Sequence, residues 1–414
     1  MPLSEEIEIH VKEIGHSDLS KTIQTGLAAG KWLEMLDLLI REAVLRKVSD
    51  IHLLSEENGI RVLIRKDGQL YPLPDFPKDC GEQLFTRLKI LGRMISYQKR
   101  VPQDGHISPD SYTDDPTVDI RIAIAPVVTG EQAVIRILHG AGDLLPLESL
   151  GWSGKTLEKY IQILHRRRGV ILLTGPCGSG KTTTIAASLK ALLAGDSLHI
   201  CTVEDPVEYR IPGVSHMAVD KTAGLGFAQG VRAWLRHDPD VLAVGEIRDP
   251  ETAAVVMEAG LLGHLVFSTV HGGSVAAVII RLLDMGISPG TLIASLTAVI
   301  SQRLVRVLCP SCRRETTDWP TEVDALSRPE AVQKIYLPQG CAECGMTGYR
   351  GRKGLVDLVP LNDATCQAIL SRQPIGELKK TLAGAAISTL WGHGWELVGQ
   401  GITSPMELLR VIGE

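Results

Sequence analysis

The chain has 414 residues, with 43 basic against 48 acidic side chains, a formal net charge of −5 and only 4% aromatic residues. That length suits two to four domains. The charge balance and scarce aromatics argue against a nucleic-acid coat, a polybasic membrane anchor or a broad base-stacking platform. The opening residues, MPLSEEIEIHVKE, carry acids where a signal peptide needs a basic segment followed by an apolar one. The longest uncharged stretch, Met285–Gln302, is too polar to span a bilayer. A soluble, cytoplasmic protein is expected.

In chain order, residues 1–35 read as a short N-terminal extension with weak helical periodicity. Residues 36–139 read as a smaller α+β domain. Trp32 to Val48 repeats its apolar residues every three or four positions, as a helix face does. The next segment alternates apolar and polar residues around Asn58-Gly59 and Asp67-Gly68, the signature of hairpins. A helical run from Gly81 to Met94 and strands in VDIRIAIAPV and QAVIRIL complete this domain. Residues 140–152, rich in glycine with one proline, read as a linker. Over 153–308 short apolar runs (GVILLTG, LHICTVED, DVLAVGEI, HLVFSTV) alternate with helical stretches, which predicts an α/β domain around a parallel sheet. A cysteine-bearing segment, 309–350, and a largely helical segment, 351–414, follow.

Gly175 to Thr182 reads GPCGSGKT, matching G-x-x-x-x-G-K-[ST] between an apolar strand and a helical run. Such a loop turns its N–H groups inward onto phosphate, with the helix N-terminus behind them. The expected contacts are Gly175, Pro176, Cys177, Gly178, Ser179, Gly180, Lys181, Thr182 and Thr183. Lys181 is placed to reach the β- and γ-phosphates, and the Thr182 hydroxyl to ligate Mg²⁺. Cys177 lies within the loop, where it is either a small filler or a point of sensitivity to thiol reagents.

Downstream acids extend the site. TVEDPVEY closes a strand with Glu204, Asp205 and Glu208, and DVLAVGEIRD delivers Glu246 at a strand's C-terminal end, where open α/β sheets bind ligands. Either Glu204 or Glu246 can polarise an attacking water or hold the metal shell. In GHLVFSTVHGG, His264 precedes a strand and His271 ends it, which makes His271 the better γ-phosphate sensor.

GPCGSGKTTT, TVEDPVEY, LRHDPDVLAVGEIRDPETA and GHLVFSTVH resemble the Walker A, Asp box, Walker B and His box of the secretion ATPase superfamily, its GspE/PilB branch most of all. The resemblance covers about residues 35–360. It implies a RecA-like P-loop ATPase domain preceded by a PAS-like α+β domain that closes over ATP, in a ring of six subunits. Carried over residue by residue, it assigns Lys181 and Thr182 to phosphate and Mg²⁺, Glu204 to the Asp box, Glu246 to the catalytic Walker B acid, and His264 and His271 to the His box. Arg121 and Arg136 match arginines of the first domain that reach the nucleotide; from the bare sequence they are strand residues.

There are three departures. His106 stands in PQDGH where the family has an arginine, and an imidazole lacks the guanidinium's bidentate geometry. The His box continues His271-Gly272-Gly273 in place of HTN. The long N-terminal docking domain of many relatives is expected to be absent or vestigial.

Cys309-Pro-Ser-Cys312 and Cys341-Ala-Glu-Cys344 are two C-x-x-C knuckles with 28 residues between them. Two such pairs in a polar region predict a tetrahedral structural zinc; a thioredoxin-type redox pair would sit singly beside a βαβ start. The resemblance supports the metal, since assembly and secretion ATPases carry a tetracysteine insert.

The leading expectation is thus a homo-hexameric ATPase, using ATP, Mg²⁺ and Zn²⁺. It would power assembly of a type IV pilus or type II secretion pseudopilus, held peripherally at the inner membrane by a platform protein and its machinery. A nucleic-acid motor for DNA uptake or conjugation, and a scaffold that binds ATP but scarcely hydrolyses it, remain as alternatives.

Overall fold

The computed structural model describes residues 16–115, 117–139, 146–195, 197–323, 329, 332–352 and onward to 413. Residues 1–15 of the expected N-terminal extension and the first half of the expected 140–152 linker lie outside the described residues. The chain divides into two compact units: 1–143 with 309–313 and 338–350, and 144–308 with 314–337 and 351–414.

The first unit is an antiparallel sheet with helices on its apolar face. Helices α1 (His16–Ala28), α2 (Trp32–Leu45) and α3 (Gly81–Leu91) join strands β1 (Asp50–Glu56), β2 (Gly59–Lys66), β3 (Gln69–Pro77), β4 (Gln103–Ile107), β5 (Asp119–Val127) and β6 (Gly130–Leu138). The sheet order is β3-β2-β1-β6-β5-β4. At the β2–β3 hairpin both turn residues, Asp67 (φ 49°) and Gly68 (φ 82°), are left-handed; a two-residue turn of this kind matches the right-handed twist of its strands. Ile51, Leu53, Ile64, Ile122 and Ile135 point to one face, where they pack with Leu36, Ile40 and Leu88 of α2 and α3. The opposite face carries a row of directly paired residues across five strands: Arg65, Asp50, Arg136, Arg121 and His106.

The second unit holds the P-loop. Its strands are β7 (Gly169–Thr174), β8 (Ile200–Glu204), β9 (Val214–Ala218), β10 (Val241–Val244), β11 (Leu265–Thr269), β12 (Leu296–Leu308) and, later in the chain, β15 (Tyr349–Pro360). They form one sheet in the order β15-β12-β7-β11-β10-β8-β9, and β12-β7-β11-β10-β8-β9 are mutually parallel. Every residue of β7, β10 and β11 is buried, as helices on both faces of a parallel sheet require. These helices are α4 (Gly154–Leu164), α5 (Lys181–Gly195), α6 (Phe227–Trp234), α7 (Pro250–Leu261), α8 (Val275–Asp284) and α9 (Pro289–Ser295). A short hairpin, β13 (Arg314–Thr316) with β14 (Ile335–Leu337), precedes the end of the chain, where α10 (Asp363–Leu370), α11 (Ile375–Ala385), α12 (Leu390–Gly399) and α13 (Pro405–Ile412) complete the fold. The chain is therefore the expected α/β P-loop fold after a smaller α+β unit. Strands β12 and β15 were not among the expected runs. No helix among the described residues is long and apolar enough to cross a membrane.

Candidate active site and cysteine cluster

The phosphate loop joins buried β7 to α5. Two of its glycines are required by their surroundings. At Gly175 (φ +149°) a Cβ would lie 2.3 Å from the Gln302 carbonyl oxygen, and at Gly180 (φ +85°) 2.8 Å from Gln302 Nε2. Buried Gln302, on β12, also accepts a hydrogen bond from Thr184 Oγ1 at 2.9 Å, so it braces the loop from beneath. Lys181 folds back to donate to the Gly175 and Pro176 carbonyls, both at 2.9 Å. Burial and the nearby Arg303 guanidinium lower its pKa, against the attraction of neighbouring anionic groups. Ser179 Oγ is buried with no hydrogen-bond partner among the described residues. A buried hydroxyl without a partner carries an energetic cost, and a phosphate oxygen in the loop would relieve it. The loop therefore fits a nucleotide phosphate.

Lys181 and Thr182 line one cavity of ≈ 170 Å³ together with Glu204, Asp205, Glu208, Glu246 and His271. Strand ends put them there. β8 ends at Glu204, β10 releases the chain just before Glu246, and β11 ends two residues before His271. Hydroxyls fix the turns: Thr269 Oγ1 donates to the Gly245 carbonyl and Thr174 Oγ1 to the Gly272 carbonyl, each at 2.8 Å. On Glu246, Arg248 pairs with Oε1 and His271 Nε2 lies 3.1 Å from Oε2. Burial raises the Glu246 carboxyl, but Arg248 and His271 more than offset it and hold the group below its ordinary value. Asp205 pairs with Lys221 at 3.5 Å, and the Thr183 hydroxyl lies 3.1 Å from the Tyr209 hydroxyl. Cys177 is exposed on the loop. The oxygen donors of Thr182, Glu204 and Glu246 suit a hard cation such as Mg²⁺.

His264 corrects the expectation that both His-box imidazoles gather at the nucleotide end. It sits before the first residue of β11, at the opposite edge of the sheet, where its Nδ1 hydrogen-bonds the Pro239 carbonyl oxygen at 2.8 Å. A parallel strand separates its two ends by its whole length, so one strand cannot bring both rings together. Arg121 and Arg136 are in the first unit. Each has a carboxylate partner there, Asp119 at 2.8 Å and Asp50 at 2.9 Å respectively. Sequence reasoning missed His216, Gln302 and Arg303, whose guanidinium donates to the Gly273 carbonyl at 3.2 Å.

Cys309, Cys312, Cys341 and Cys344 come together with all four sulfurs within 4.8 Å of one another. The Cys309–Cys341 and Cys312–Cys344 separations are 3.9 Å, and Cys341–Cys344 is 3.8 Å. A tetrahedron with Zn–S bonds near 2.3 Å has sulfur–sulfur edges of about 3.8 Å. The backbone N–H groups of Cys341 and Gly348 donate to Cys344 Sγ, both at 3.2 Å. These donors stabilise negative charge on the Cys344 sulfur. The four residues fit a structural zinc, and no redox partner is required to explain them.

Comparison with known proteins agrees with this geometry. The family profile for "Type II/IV secretion system protein" matches residues 28–410. The type IV pilus assembly ATPase PilB of Thermus thermophilus is 39% identical over 92% of this chain, although the match spans 43% of that protein. Type II secretion system protein E of Klebsiella pneumoniae is 39% identical over 92% of this chain and 75% of its own length. The protein transport protein HofB homolog of Escherichia coli is 38% identical over 92% and 81%. Among solved structures, the pilus retraction motor PilT with bound ADP superposes with a TM-score of 0.59 at 25% identity, covering 90% of this chain and 95% of that one. The ATPase DotB of Legionella pneumophila shares the fold, with a TM-score of 0.64 at 19% identity, covering 90% and 94%. The phosphate loop, the acids at the strand ends and this kinship lead to one conclusion: the chain belongs to the Type II/IV secretion system protein family and is an ATPase of the secretion and pilus type.

Proposed function

We propose that this ATPase works as a homo-hexameric ring at the cytoplasmic side of an inner membrane. There it would drive assembly of a type IV pilus or a type II secretion pseudopilus through a platform protein and its machinery. The observation that carries the catalytic part is the gathering of Lys181, Thr182, Glu204, Glu246 and His271 around one cavity beside a loop that fits phosphate. The assignment to pilus or pseudopilus rests on relatives named for both systems.

In this reading Lys181 leaves its own loop carbonyls and donates to the β- and γ-phosphates, aided by the N–H groups of 175–183. Thr182 would hold Mg²⁺, which neutralises charge developing on the phosphate oxygens. Glu246, kept ionised by Arg248 and His271, orients the water that attacks the γ-phosphorus. The bond to the β–γ bridging oxygen then breaks and ADP leaves. Glu204, with Asp205 and Glu208 near it, supplies the second carboxylate of the metal–water shell. His271, half exposed and bonded to Glu246, reports whether the γ-phosphate is present. Arg121 and Arg136 would leave their carboxylate partners to reach the nucleotide, a role supported by the family resemblance alone. Zinc at the four cysteines would staple the knuckles without taking part in hydrolysis.

The test is Glu246→Gln in purified protein. ATP binding should survive, because Lys181 and the loop are untouched, while phosphate release falls by at least about a hundredfold. Near-normal release would refute the assignment.

A further inference from the structure

We infer that His216 is the positioning residue of the Glu204 carboxylate; the inference rests on the proposed role of Glu204 in turnover. His216 is the middle residue of β9, the edge strand, directly opposite Thr202 in the parallel register with β8. Both side chains of the pair are shielded, His216 at 14% and Glu204 at 16% exposure.

The ring is tied at both nitrogens. The backbone N–H of Ile211 donates to Nε2 at 3.0 Å. A nitrogen that accepts keeps its lone pair, so the proton of the neutral ring sits on Nδ1. Nδ1 in turn lies 3.1 Å from Glu204 Oε1, with Thr202 Oγ1 beside it at 2.9 Å. Turning the ring over would break the Ile211 bond and leave that N–H without its partner. The tautomer and orientation are therefore set by backbone, and the Nδ1–H is presented between Thr202 Oγ1 and one oxygen of the carboxylate. Among the described residues, His216 is the only side chain hydrogen-bonded to Glu204.

Glu204 and Glu246 are thus held in different ways. Glu246 has two partners, one of them the half-exposed His271 on the loop after β11. Glu204 has one partner, locked on an edge strand. Fixing Oε1 in this manner limits rotation of the carboxyl group about its terminal bond and gives Glu204 one preferred setting toward the cavity. Preorganised groups of this kind raise turnover more than substrate affinity.

Two near-isosteric variants separate positioning from simple support of the 211–216 turn. In His216→Asn the amide N–H takes the place of Nδ1–H, so the bond to Glu204 survives and the Ile211 acceptor is lost. In His216→Gln the amide takes the place of Nε2, so the reverse holds. With the full-length, zinc-loaded protein, His216→Asn should keep kcat within about threefold, and His216→Gln should lower it about tenfold, the cost of one charge-assisted bond. KM for ATP should stay within about twofold in both, since the phosphate loop is not touched. A kcat of His216→Gln equal to or above that of His216→Asn overturns the inference. Glu204→Gln is measured alongside. If it turns over normally, the role of Glu204 has failed; if it is inactive while Gln matches Asn at 216, only the positioning role has.

Discussion

Glu246 and His271 come from different strands yet meet at 3.1 Å, and the other oxygen of the same carboxylate is taken by Arg248. The acid at the end of β10 is therefore clamped between two cationic or proton-bearing groups in a shielded corner. Its carboxyl is held below its ordinary value, with burial working against that shift and losing.

The first prediction concerns pH. A carboxyl with a depressed pKa stays charged further into acid, so the acidic limb of kcat should lie below the usual glutamate range of about 4.3. Arg248→Ala removes the stronger partner and leaves the burial, so the limb should move to higher pH. Steady-state rates across an acidic pH series would show this, and superimposable limbs would count against Glu246 as the controlling group.

The second concerns Cys177. It is exposed on the phosphate loop, whereas Cys80 and Cys201 are buried, with burial raising both thiols to about 11. Maleimide treatment should block nucleotide binding in step with alkylation of Cys177, and saturating ATP should slow the reaction. Cys177→Thr should bind ATP normally and resist the reagent. Equal sensitivity in that variant would place the damage elsewhere.

The third concerns the metal. Purified protein should carry about one zinc per chain by atomic absorption. Cys341→Ser removes a vertex shared by two of the close sulfur–sulfur contacts, so it should lose most of the metal and lower Tm by roughly 5 °C or more. A chelator-stripped protein with the same Tm as the zinc-loaded wild type would contradict a structural zinc.

The fourth is a stability prediction remote from the nucleotide. The Glu407 side chain on α13 is fully buried and accepts from Arg306 on β12 and from Arg410, at 2.8 and 2.6 Å, as well as from the Arg306 N–H at 3.0 Å. Burial raises its carboxyl, but the two guanidiniums prevail and hold it low. A depressed pKa contributes stability that is present above the unfolded value and lost as pH falls through the folded one. Glu407→Ala leaves two arginines facing each other and should cost about 3–5 kcal/mol by denaturant titration. ATP binding by the folded fraction should be unchanged.

Legibility followed how local each signal is. GPCGSGKT sits within one strand–loop–helix unit, and the two C-x-x-C knuckles each set two ligands by themselves, so both were readable from spacing. The acids Glu204 and Glu246 were readable because a buried strand announces its own end. Strand order was not readable: nothing in the string says that β12 runs beside β7. Gln302 and Arg303 therefore give no sign in the sequence that they lie under the loop; Gln302 only closes the uncharged Met285–Gln302 run, and Arg303 lies just beyond it. His216 escaped notice because β9 alternates weakly, all five residues being partly exposed or nearly so. His264 is grouped with His271 by the resemblance to the family's His box, although a strand sends its two ends to opposite edges of a sheet.

The charged row on the outer face of the first sheet has a consequence for how that sheet assembles. Arg65, Asp50, Arg136, Arg121 and His106 are in register across β2, β1, β6, β5 and β4, with Asp50 bonded to both of its flanking arginines. Sliding any one strand by a single residue would drive its member of the row into the oily side and turn an isoleucine out to water. Mispaired sheets are thus penalised twice over, and the ionic rung acts as a proofreading mark for strand alignment, whatever else its arginines do.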